Sequence, residues 1–185
     1  MLGISGSLRG GSHNTNLLRC AGGLLDAEGA ELIVYDGLKQ VPPYDADDDG
    51  PDAPGAVVAM RAAIVAADGI LFATPEYNSS IPGALKNAID WLSRPIATNV
   101  LRNKPVAVIG ASTGMFGAVW AQAELRKVLA AAGARVIEGE LRVGHAHERF
   151  DEDGRLNESE LEQGLGEVVH SLVEAARPVP LRAAA

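Results

Sequence analysis

The densest concentration of anion-binding chemistry in the chain is the run Gly6-Ser7-Leu8-Arg9-Gly10-Gly11-Ser12-His13-Asn14. Glycines at 6, 10 and 11 let the backbone turn tightly and expose its N–H groups. The hydroxyls of Ser7 and Ser12 and the amide of Asn14 can bond phosphate oxygens, and Arg9 adds charge in a forked donor. A helix starting here contributes its free amides and its dipole. A plain helix cap needs only Ser12 or Asn14. It does not need Arg9, both serines and the glycines together. The run reads as a phosphate cradle. Gly6-x4-Gly11 has Walker-like spacing, but Ser12 stands where the nucleotide-binding lysine is required, and no G-x-G-x-x-G occurs in this turn. Neither a P-loop NTPase nor a standard dinucleotide site is supported.

A second segment, Thr74-Pro75-Glu76-Tyr77-Asn78-Ser79-Ser80-Ile81-Pro82-Gly83, is stiffened by Pro75 and Pro82. Tyr77 offers a ring. Glu76, Asn78 and the backbone offer edge contacts to a flat polar heterocycle. A third, Gly110-Ala111-Ser112-Thr113-Gly114-Met115-Phe116-Gly117, has small residues that let a ligand approach the backbone. It also carries a rival reading, because Gly110-x-Ser112-x-Gly114 is the pattern of a serine-hydrolase elbow. Asp151 or Asp153, then His170, follow in a workable order. Against it, His170 falls within a helical stretch with apolar neighbours, and a hydrolase leaves the first run unexplained. His145 and His147 read as a surface turn, without a third metal ligand. The acidic stretch Asp45, Asp47, Asp48, Asp49 and Asp52 lacks the spacing of a calcium loop and reads as a solvated face. Cys20 reads as a small core residue.

The elements that must position these segments alternate along the chain. Strands are expected at 2–5, 31–35, 69–74 and 105–110, with a fifth beginning at 135–137. Helical spacing recurs in Leu17, Leu18, Ala21, Leu24 and Leu25, closed by Gly29, then over 57–67. It returns in Ile81, Leu85, Ile89 and Leu92, over 120–132 before Gly133, and in Leu161, Leu165, Val168, Leu172 and Val173. Residues 36–54 read as a loop, and the tail 177–185 as fraying. The alternation gives βαβ units and a parallel sheet. All three chemistry-bearing segments then follow strands, at the carboxyl edge where such sheets bind ligands.

The chain has 185 residues, 47% of them apolar, and a net charge of −8. This suits one domain over residues 1–185, and the acidic balance argues against nucleic acid. No run is long enough to span a membrane, the start shows no secretory signal, and the single cysteine allows no internal disulfide. A cytoplasmic location is expected.

The first two segments, paired, resemble the NADPH-dependent FMN reductase family, which includes quinone, azo-dye and chromate reductases. The matching pieces are Gly6-Ser7-Leu8-Arg9-x-x-Ser12-x-Asn14 and Pro75-Glu76-Tyr77-Asn78-x-Ser80-x-Pro82-Gly83-x-Leu85-Lys86-Asn87-Ala88-Ile89-Asp90-Trp91-Leu92-Ser93-Arg94. The resemblance implies a flavodoxin-like three-layer α/β/α fold with a five-stranded parallel sheet in the order 2-1-3-4-5. It implies that Ser7, Arg9, Ser12 and Asn14 hold the FMN phosphate and that Pro75, Glu76, Tyr77 and Asn78 line the isoalloxazine. Ser112 and Gly114 would flank the flavin on its other side. NADPH or NADH would reduce the flavin, which then reduces a flavin, quinone, azo or similar small acceptor, with no side-chain acid, base or nucleophile. The family also implies a homodimer or homotetramer, with the helix carrying Lys86 to Trp91 at the subunit contact. The alternative is a flavodoxin-type electron carrier without its own NAD(P)H site. His13 departs from the pattern, since the family often places an aromatic or apolar residue there.

Overall fold

The computed structural model describes residues 1–177. Its elements run β1 (Leu2–Ser5), α1 (His13–Ala27), β2 (Ile33–Tyr35), α2 (Gly55–Ala66), β3 (Ile70–Thr74), α3 (Gly83–Leu92), β4 (Pro105–Ala111), α4 (Val119–Ala131), β5 (Arg135–Val136), β6 (Arg142–Val143) and α5 (Ser159–Ala176). The main path of the sheet is β2-β1-β3-β4-β5, and all pairings are parallel. This is the flavodoxin-like order expected from the resemblance.

Side-chain alternation along the central strands divides the core between the two faces. Ile70, Phe72, Val106 and Val108 pack with Met60 and Ile64 of α2, Leu85 and Ile89 of α3 and Leu125 of α4. Leu71, Ala73, Ala107 and Ile109 point the other way, onto Leu17, Leu18 and Ala21 of α1 and Leu165 and Leu172 of α5. Strands buried on both faces cannot alternate in polarity, which is why β3 and β4 are continuous apolar runs. Each fully buried aliphatic side chain contributes about 1.5–3 kcal/mol over its exposed state. Cys20 packs half-buried beside the second cluster, its Sγ 3.3 Å from the Gly154 carbonyl, and burial pushes its thiol up.

The fifth sheet position departs from expectation. β5 begins at Arg135 as anticipated but pairs only with Pro105 and Val106, at the start of β4. β6, not expected from the sequence, pairs with Gly110 and Ala111 at its end. Between them the chain leaves the sheet through Gly139 at φ +103°. The Arg126 guanidinium enters the gap and donates to the Ile137 carbonyl at 2.8 Å and the Val108 carbonyl at 3.4 Å.

The loop 36–54 includes a short 3₁₀ turn, Gly37–Gln40. It is held by family-motif residues of α3. Asn87 accepts from the Tyr44 amide at 2.7 Å and donates to the Pro42 carbonyl at 2.8 Å. Trp91 Nε1 donates to the same carbonyl at 2.9 Å. Asp49 pairs with Arg61 at 2.9 Å, so that part of the acidic stretch is spent within the protein. Arg177 follows α5, and residues 178–185, the rest of the tail expected to fray, lie outside the described residues.

Candidate functional site

The chain leaving β1 turns sharply at Gly6. A Cβ there would lie 3.0 Å from Leu85 and 3.2 Å from Pro75, tighter than ordinary contact, so glycine favours this close approach of the turn to the β3–α3 loop and α3. The turn closes through Gly11 at φ +66°, in the left-handed region that glycine favours. Ser12 caps α1, its Oγ accepting from the Thr15 amide at 3.4 Å. Among the described residues, the backbone amides from Leu8 through Asn14 donate to no group of the protein. Arg9 is exposed and makes no ion pair among the described residues. A run of free amides at a helix start, with a guanidinium beside it, is a cradle for an anion.

A cavity of about 300 Å³ joins this turn to the other two segments. Ser7, Arg9 and Ser12 line one side, Pro75, Glu76 and Tyr77 another, and Ser112 a third. Eight of the ten expected site residues border it, Asn14 included, while Asn78 and Gly114 lie outside its wall.

Two of these residues also make side-chain bonds that the sequence did not signal. Asn14 is buried and bridges to β4: its Nδ2 donates to the Ala111 carbonyl and its Oδ1 accepts from the Ala111 amide, each at 2.9 Å. That leaves a single amide hydrogen for any ligand. The Glu76 carboxylate turns away to α4, where one oxygen accepts from Trp120 N at 3.0 Å and Ala121 N at 3.1 Å. The residue before α4, Ala118, cannot cap it, and Glu76 performs that task from another loop. What Glu76 offers a ligand is its backbone amide, which donates to no group of the protein.

Tyr77 and Ser80 exchange two backbone hydrogen bonds of 3.1 Å. Asn78 at φ 52° and Ser79 at φ 59° form the tip, a type I′ turn. Ser80 Oγ donates to Glu124 at 2.6 Å, a second tie to α4. The turn presents the half-exposed Tyr77, and the start of α4 with the loop before it presents the exposed T-shaped pair Phe116 and Trp120, whose ring centroids are 5.0 Å apart.

The hydrolase geometry is not assembled. Ser112 Oγ accepts from the Gly114 amide at 3.1 Å. His170 lies on the exposed side of α5, 3.0 Å from Glu28, and Asp151 accepts from the Arg155 amide at 2.8 Å. His145 and His147 lie in a surface turn, and the described residues contain no cluster suited to a metal ion.

The sequence model of the family described as NADPH-dependent FMN reductase matches residues 1–148. The chain belongs to the NADPH-dependent FMN reductase family. Its relatives include an NAD(P)H-dependent FMN reductase of Pseudomonas aeruginosa, 44% identical over 157 residues, covering 84% of this chain and 83% of that one. A 2-hydroxy-1,4-benzoquinone reductase of a Burkholderia species is 38% identical over 155 residues, covering 83% and 82%. Among solved structures, the flavoenzyme NAD(P)H:(acceptor) oxidoreductase FerB of Paracoccus denitrificans superposes with a TM-score of 0.82 at 32% identity, covering 95% of each chain.

The residues present fit the cofactor of this reductase family. FMN brings a phosphate and a flat heterocycle joined by a polar chain. The amides Leu8 to Asn14 and Arg9 suit the first. The free amide of Glu76, the ring of Tyr77 and the small residues around Ser112 suit the second. Sequence reasoning missed Glu76 as a helix cap and Asn14 as a cross-sheet bridge. Both bonds join residues far apart in the chain, so no local spacing signals them.

Proposed function

We infer that residues 1–185 form a single domain that binds FMN in the cavity between the β1–α1, β3–α3 and β4–α4 loops, and that it works as an NAD(P)H-dependent reductase of quinone-type acceptors. The observation that carries this reading is the run of unpaired amides from Leu8 to Asn14 beside Arg9, opening on the same cavity as Glu76, Tyr77 and Ser112. Bound flavin supplies the hydride and electron chemistry. The protein binds and orients. Ser7, Arg9, Ser12 and the turn amides hold the phosphate, with Asn14 fixing the turn to β4. The backbone of Pro75 to Asn78 meets the pyrimidine edge, where fixed N–H dipoles favour developing negative charge. Ser112 and Gly114 bound the opposite side. The exposed rings of Tyr77, Phe116 and Trp120 give a flat nicotinamide or quinone an aromatic rim to stack against.

The quinone class, and with it a small-molecule acceptor, is supported by the relatives' activities. A homodimer or homotetramer, with α3 at the contact, and a cytoplasmic location complete the reading. No helix among the described residues is long and apolar enough to cross a membrane. The deciding experiment reconstitutes the purified protein with FMN and follows NADPH and NADH oxidation with a benzoquinone, an azo dye, free flavin and oxygen. Flavin-dependent oxidation stimulated by the quinone is expected. Protein that binds no flavin and oxidises neither nucleotide overturns the reading.

A further inference from the structure

His13 is the first residue of α1, directly after the capping Ser12, and it borders the same cavity as Ser7 and Arg9. Its ring is half-buried and stacks on Phe150, with centroids 5.8 Å apart and planes inclined by 13°. This contact holds the imidazole at the mouth of the phosphate turn. We propose that His13 is a proton-coupled ligand of the phosphate, taking up a proton as the phosphate enters and becoming a second cation beside Arg9. The proposal rests on the assignment of this turn to the FMN phosphate.

The surroundings of the ring set the direction of the coupling. Without a ligand, partial burial first, then Arg9, then His147 all disfavour the imidazolium and hold the ring below its ordinary value. The groups acting on it are basic side chains: Arg9 from its own loop and His147 from the 3₁₀ turn after β6. Phe150 presents only its apolar face. Of the charged groups on that segment, Glu148 is engaged with His147 Nε2 at 3.1 Å, Asp151, next to Phe150, accepts from the Arg155 amide at 2.8 Å, and His145 has its ring 6.4 Å from that of His147. A phosphate monoester, whose second pKa is about 6, brings close to two negative charges to this position near neutral pH. That charge reverses the balance and favours the protonated ring. Binding and protonation then support each other, so affinity for FMN rises as pH falls through the bound-state value and levels off below the free-state value. Each unit by which the phosphate raises His13 makes up to about tenfold in affinity.

The test is calorimetric titration of flavin-free protein with FMN near pH 7 in buffers of different ionisation enthalpy, repeated with riboflavin. Wild type is expected to take up a measurable fraction of a proton per FMN and none per riboflavin. His13→Phe, which keeps a ring against Phe150, and His13→Gln should both lose the uptake. Between pH 8 and 6.5 the FMN dissociation constant should tighten about threefold to tenfold in wild type and stay flat in both variants. Equal proton counts in wild type and both variants overturn the proposal. Failure of the underlying reading looks different: FMN and riboflavin would bind alike, and Arg9→Ala would weaken both equally.

Discussion

The Asn14 side chain both donates to and accepts from the backbone of Ala111, at 2.9 Å in each direction, although 97 positions separate the two residues. One amide thus ties the turn after β1 to the last residue of β4. Asn14→Ala leaves a buried N–H and a buried carbonyl unsatisfied, at a cost of about 1–3 kcal/mol. The flavin-free protein should lose about 3–10 °C in Tm, read by thermal unfolding. If Asn14 acts only on the phosphate, flavin-free stability will be unchanged.

Arg9→Ala should weaken FMN about 10- to 100-fold, the range of a lost charge-assisted hydrogen bond. Riboflavin, which lacks the phosphate, should bind as before. Quenching of flavin fluorescence on titration measures both. A uniform loss would place the phosphate elsewhere.

Glu76→Ala removes the cap on α4 and should destabilise the fold by about 0.5–2 kcal/mol in denaturant titration. Glu76→Gln keeps an oxygen that can accept from Trp120 and Ala121 and should recover most of that loss. The flavin midpoint potential should shift in the alanine variant and stay near wild type in the glutamine variant, because the β3–α3 turn moves with its anchor. Equal potentials in all three proteins would mean that the cap and the flavin site are independent.

Ser79 occupies a left-handed conformation, at φ 59°, in a turn type that favours Asn-Gly. Ser79→Gly should stabilise the protein by about 1 kcal/mol, the steric cost removed at one such residue. The denaturant midpoint should rise with an unchanged slope. A fall would show that Ser79 makes a contact outweighing its strain.

The pH profile of the flavin-free protein should carry the mark of His13, held below its ordinary value by burial, Arg9 and His147. In the unfolded chain the ring titrates near 6.5. Around and below that pH the unfolded state binds more protons, so His13 subtracts stability progressively as pH falls from about 7 toward the folded-state value. His13→Phe should flatten this part of the profile in denaturant titrations at pH 5.5 to 8.

The central strands were legible because double burial writes itself as runs such as Ile70 to Thr74 and Pro105 to Ala111. The helices were legible from their apolar spacing and from Gly29 and Gly133, both in the left-handed region where helices end. The split of the fifth strand was hidden. A two-residue strand has no periodicity, and Arg126, which occupies the gap, sits on α4 rather than in the strand. Within the site, residue types pointed to the cradle, because glycine, serine and arginine act there through local backbone. The structural tasks of Asn14 and Glu76 were hidden, because an amide or carboxylate goes wherever the fold brings a partner, and Ala111, Trp120 and Ala121 are distant in sequence.

The interrupted fifth strand also bears on how copies of the chain avoid one another. An incoming strand needs a straight row of free backbone groups, and here the row beside β4 is divided between β5 and β6, with a guanidinium seated on Val108 between them. At the opposite border, β2 is only three residues long. Among the described residues, neither border of the sheet offers a long unbroken row of backbone groups for strand addition.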